Sequence, residues 1–165
     1  MSNILTTQFL KELEAEVQAT RKCLERIPME LSDWKPHERS MAMGYLAILV
    51  ADIPRWIAYS IEKGEINFAT YEQLNPKSAS DLVEQFDKNV EGAKKALKSI
   101  SDDDLKGVFS LKNKDQLLYS SPMLENISST LNHWVHHRGQ LTVYMRLNDI
   151  PVPSIYGPSA DEKTF

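Results

Sequence analysis

The sequence predicts an all-α fold: a four-helix bundle with long crossover connections and an extended C-terminal tail. Four stretches place large apolar residues at steps of three and four, the period of one helix face. No stretch shows apolar–polar alternation of comparable length. The connections at 28–39 and 65–77 are long enough to permit more than an up-down topology, which leaves the order of helices around the bundle open.

The first helix carries Leu5, Phe9, Leu13, Val17, Leu24 and Ile27 on one stripe, with Thr20 completing the series and Pro28 ending it. Met29 to Arg39, with Trp34, Pro36 and three acidic residues, reads as a connection. Ser40 is the expected N-cap of a second helix whose stripe runs through Met43, Leu46, Leu49 or Val50, Ile53, Trp56 or Ile57, and Ile61, with Gly64 as its stop. Pro54 inside this pattern removes one backbone hydrogen bond and is expected to bend the helix. Glu65 to Lys77 shows no sustained period and reads as a loop. Ser78 and Asp81 cap a third helix lined by Leu82, Val83, Phe86, Val90, Ala93, Leu97 and Ile100, closed off by Ser101-Asp102-Asp103-Asp104. Leu105 to Ser120 fits a short strand or an irregular crossover, and its alternation is too brief to decide. Ser121-Pro122 then opens a fourth helix, with Leu124, Ile127, Leu131, Val135, Leu141 and Met145 along one side, roughly 35 Å long at 1.5 Å per residue. Pro151, Pro153 and Pro158 make the tail extended.

At 165 residues and 42% hydrophobic content, the chain is expected to form a single domain over 1–165 with its own core. A net charge of −4 without a basic stripe argues against a nucleic-acid partner. The N-terminal residues lack a basic segment followed by an apolar one, and no apolar run approaches the ~20 residues a bilayer crossing requires. A lone Cys23 fits a reducing compartment and, close to the first apolar stripe, reads as an inert buried thiol. The expectation is a soluble, cytoplasmic protein without membrane contact.

Chemistry is concentrated in His133-Trp134-Val135-His136-His137-Arg138-Gly139-Gln140, which holds three of the four histidines. His133 and His137 stand one turn apart on one helix face, the geometry of half a metal site, and two imidazoles still need a third ligand. His136 is rotated away and is expected off the site. Gly139 in mid-helix implies close packing there or tolerated flexibility, and Arg138 and Gln140 either bind substrate or tie the helix to its neighbours. Trp56 and Trp134 read as core or interface aromatics rather than substrate platforms, and the Asp102–Asp104 run as a solvated loop and helix-start signal.

Leu131 to Leu141, Tyr144 to Leu147, Val152 to Glu162, Ser40 to Ala47 and Val50 to Pro54 together resemble the DinB-like superfamily, metal-dependent four-helix bundles that include bacterial thiol transferases. The resemblance covers essentially the whole chain. It implies a three-histidine site for a divalent metal such as zinc or nickel, activation of a thiol or water on that metal, a homodimer, and a small-molecule ligand. His133 and His137 match two of the ligands. Leu49 stands where relatives carry the third histidine, and its isobutyl group has no lone pair. Either the metal is lost and the pocket binds a ligand or partner without it, or another group, with Asp52 the nearest and His37 in the preceding loop a second, completes the set.

Overall fold

The structure is a computed structural model, which describes residues 3–163. It contains four long helices, α1 (Ile4–Glu25), α2 (Met43–Lys63), α3 (Ala79–Ser99) and α4 (Met123–Leu147), and three strands, β1 (Glu65–Asn67), β2 (Val108–Asn113) and β3 (Gln116–Pro122). The four-helix expectation holds, and all-α is corrected by a small sheet of order β1-β2-β3, parallel between β1 and β2 and antiparallel between β2 and β3. Among the described residues no helix is long and apolar enough to cross a membrane.

Helix α1 packs on α3 and α4, and α2 packs on the same two, so α1 and α2 face each other across the bundle's diagonal. That arrangement requires the long first connection. Leu13, Leu24, Leu46, Ile53, Phe86, Ile127 and Trp134 form the centre of the core. Leu5, expected on the α1 stripe, is 42% exposed instead. The amides at the start of α1 point at a side chain distant in sequence: Ile4, Leu5 and Thr6 N–H donate to the Asp102 carboxylate at 2.9, 3.1 and 3.1 Å. A carboxylate at a helix N-terminus satisfies orphan donors and complements the helix dipole. Asp102 therefore fastens α1 to the turn after α3.

The start of α2 is two residues later than Ser40 as N-cap predicts. Met43 and Gly44 N–H find the carbonyls of Trp34 and Ser32, both at 2.9 Å, so the connection itself satisfies them, and Ser40 joins a turn with His37. At the other end Gly64 adopts φ 67°, the left-handed conformation glycine tolerates best, and donates to the Ser60 carbonyl. Ser78 caps α3 as expected, its Oγ accepting from Asp81 N–H at 3.0 Å. Pro122 is the last residue of β3 rather than the first of α4, and Met123 N–H is taken by the Gly107 carbonyl at 2.8 Å.

Pro54 leaves α2 continuous. It has no N–H for the Val50 carbonyl, and the Trp134 indole supplies one from α4 at 2.9 Å. This bond sets α2 against α4 at the level of the histidine pair.

Candidate functional site

On α2, Tyr45, Leu49, Asp52 and Trp56 follow a spacing of four, three and four, which places them on one stripe. The stripe faces α4 at His133, and the segment after β1 covers it with Phe68, Tyr71 and Leu74. Together these residues line a cavity of about 310 Å³. A second cavity of about 200 Å³ lies on the other side of Trp56, Phe68 and His133, closed by Phe109, Leu111 and Tyr119 of the sheet and by Asn126 of α4. The sheet thus serves as a wall of this second cavity. A wider open groove between α1 and α4, lined by Phe9, Leu124 and Ser128, holds no histidine.

The structure brings His133 and His137 together as their spacing predicts. Their Nε2 atoms are 2.7 Å apart, and His137 Nδ1 lies 2.7 Å from Gln140 Oε1. One tautomer pair satisfies this chain: His137 Nδ1–H donates to Gln140, and His133 Nε2–H donates to His137 Nε2. Burial, reinforced by the neighbouring histidines, holds the pKa of His133 below the ordinary imidazole value. Burial does the same to His137, partly offset by its bond to Gln140. His136 is exposed and touches the pair only through the edge of His137, with ring centres 5.1 Å apart.

Asp52 lines the same cavity as Leu49 and His133 but is committed elsewhere. Its Oδ2 accepts from the Tyr71 hydroxyl at 2.7 Å and from Trp56 Nε1 at 3.4 Å. Its Oδ1 is 2.8 Å from Arg55 Nε. The Arg55 N–H is directed at the Tyr71 oxygen, 2.9 Å away, so Oδ1 is paired in charge and makes no hydrogen bond. Burial and the adjacent carboxylate raise the Tyr71 pKa well above the ordinary phenol value, which keeps its proton on the bond to Asp52. His37 is exposed in its loop, its Nδ1 accepting from Arg39 N–H, and takes no part in the site.

The donor set does not complete a resident metal site. Catalytic zinc takes three protein ligands, and here two imidazoles face each other at hydrogen-bond distance while Leu49 and an engaged Asp52 occupy the neighbouring positions. No group of three histidine, cysteine, aspartate or glutamate side chains converges in a metal-holding arrangement among the described residues.

Arg138, only 2% exposed, joins α4 to α1 and the tail through an ion pair with Glu16, a bond to Thr20 Oγ1 at 3.2 Å and one to the Tyr156 hydroxyl at 2.9 Å. Its role is structural, whereas Gln140 orients His137. A Cβ on Gly139 would meet nothing within 4 Å, which rules out close packing as the reason for that glycine. Cys23 is fully buried and its thiol is pushed up to about 11 by burial. Trp134 is a core residue, and Trp56, half-buried, packs against the core and lines both cavities. Tyr71 and Phe68 were not legible from periodicity because they lie in an irregular segment, while the α2 stripe from Tyr45 to Trp56 carried a signal in its spacing.

A helical bundle closed at one side by a small sheet, with paired imidazoles on its last helix, defines the class of protein. The DinB family model matches residues 1–164, and the chain belongs to that family. Its fold is similar to a DinB-like protein of Bacillus subtilis, with a TM-score of 0.70 and 18% identity, covering 95% of this chain and 99% of that one. A DinB-like protein of Bacillus cereus gives a TM-score of 0.67 at 24% identity, covering 90% and 95%. At such identities the likeness concerns the fold alone. A stretch of 32 residues is 53% identical to the uncharacterised protein YrdA of Bacillus subtilis, spanning 19% of this chain and 19% of that protein.

Proposed function

We propose that this DinB-family protein is a metal-independent binder of a small organic molecule, its site the cavity between α2, α4 and the segment after β1. The observation that carries this reading is the state of the third ligand position. Leu49 offers no donor there, and Asp52 is held by Tyr71, Trp56 and Arg55. Freeing Asp52 for a metal would break its ion pair with Arg55 and its bonds from the Tyr71 hydroxyl and the Trp56 indole. A cavity walled by aromatic rings with few polar groups is the usual form of a ligand pocket.

A metal-dependent reading, with thiol-transferase-like chemistry, has one observation in its favour. The two Nε2 atoms converge, and Gln140 holds His137 as outer partners hold metal-ligating histidines. Leu49→His separates the two readings. The metal-independent reading expects the variant to bind zinc tighter than the native chain by a few powers of ten, with His137→Ala abolishing the gain and His136→Ala sparing it. A variant that folds normally without gaining zinc affinity contradicts this placement of the vacancy. A homodimer in a cytoplasmic setting belongs to the same proposal. It is supported by Val143 and Leu147, one turn apart on α4 and each more than half exposed, and light scattering at micromolar concentration tests it against a mass of 18.8 kDa.

A further inference from the structure

The geometry points to an organic ammonium ion, a quaternary or methylated amine with a small apolar body, as the ligand of the cavity beside His133; this rests on the metal-independent reading above. Four aromatic side chains from two parts of the chain line that cavity: Tyr45 and Trp56 from α2, Phe68 and Tyr71 from the segment after β1. Asp52 is the only aspartate, glutamate, lysine or arginine among its described lining residues. An anionic ligand would therefore meet a carboxylate and no fixed cation.

The carboxylate also acts through the rings. Trp56 Nε1–H and the Tyr71 hydroxyl both donate to the same oxygen, Asp52 Oδ2, which shifts electron density toward their π faces. Electron-rich faces are what a desolvated cation binds. Arg55, the counter-ion of Asp52, does not line the cavity. Its guanidinium is engaged by the Tyr71 hydroxyl and the Glu72 carbonyl and lies 4.4 Å from the Tyr71 ring centre. The pair is neutral in sum, and the member on the cavity wall is the negative one.

At the rim, Tyr45 and Phe68 are 56% and 54% exposed, so much of each ring is uncovered. A ligand in the cavity would cover them. A cavity of about 310 Å³ stands at the small end of the usual range for ligand sites, which suits a compact head rather than a long chain.

The test titrates the chelator-treated full chain by calorimetry with choline and with its uncharged isostere, in which a tert-butyl group replaces trimethylammonium. Choline is expected to bind about tenfold tighter than the isostere. In the Tyr45→Leu/Phe68→Leu variant, which removes two of the four rings and keeps apolar surface in their place, choline is expected to lose more affinity than the isostere, so that the preference falls. Equal binding of the two probes overturns the ammonium inference and leaves the metal-independent pocket standing. Failure of choline to bind, or a preference unchanged in the variant, overturns it as well. A separate titration of the same sample with zinc addresses the underlying reading: tight stoichiometric uptake overturns that reading and this inference with it.

Discussion

Replacing Trp134 with phenylalanine takes away the N–H that serves the Val50 carbonyl, in a place where the tryptophan is 1% exposed. Leaving a buried carbonyl unpaired costs about 1–3 kcal/mol, and the void left by the smaller ring adds to it. The single variant is therefore expected to lose at least about 2 kcal/mol. Pro54→Ala restores the peptide N–H four residues after Val50, so the helix itself can satisfy that carbonyl. In the Pro54→Ala background, Trp134→Phe should cost about 1–2 kcal/mol less than in the native chain. Denaturant unfolding of the four proteins gives the coupling directly. Additivity within about 0.3–0.5 kcal/mol would refute the exchange of donors between Pro54 and Trp134. Because that bond sets α2 against α4, the same variants should also alter ligand binding at the neighbouring site.

Gly139→Ala is expected to raise stability by about 1 kcal/mol, since the added methyl meets open space on a helix, and a fall in melting temperature would contradict this. Asp102→Ala should destabilise by about 1–2 kcal/mol by uncovering the α1 amides, and amide hydrogen exchange should rise first at Ile4, Leu5 and Thr6. His133 and His137 have folded pKa values below the ordinary 6.5, so as pH falls the unfolded chain takes up their protons first. Stability should be flat above about pH 7, fall as pH drops through 6.5, and level off below the folded values. The variant His133→Gln/His137→Gln should flatten that step in unfolding curves, and an unchanged step would place its origin elsewhere.

The helices were legible because each buries one face, so Phe9, Leu13 and Leu24 or Phe86, Val90 and Leu97 recur at the helical period. The strands were not, because β3 exposes Leu117, Leu118 and Tyr119 in succession and β1 has only three residues, leaving little alternation to read. Start positions failed where distant groups supplied the cap: the Trp34 and Ser32 carbonyls served α2 and removed any need for Ser40. Within the site, His133 and His137 share a helix, so their meeting follows from spacing alone. The partners of Asp52 did not follow, since Tyr71 reaches it from an irregular segment whose path depends on tertiary packing. Asp102 shows the same limit, because its acidic neighbours suggested a solvated loop and its actual role is a helix cap 96 or more residues away in sequence.

The central claim, that this DinB-family site works without a resident metal, is tested most directly by calorimetric zinc titration of the untagged native chain after chelator treatment, at neutral pH. Two imidazoles hydrogen-bonded to each other, a leucine and an engaged aspartate predict at most weak uptake, with no stoichiometric binding at micromolar zinc. One equivalent bound tightly and lost in His137→Ala would contradict the account and require a third donor from a rearranged Asp52 or another residue.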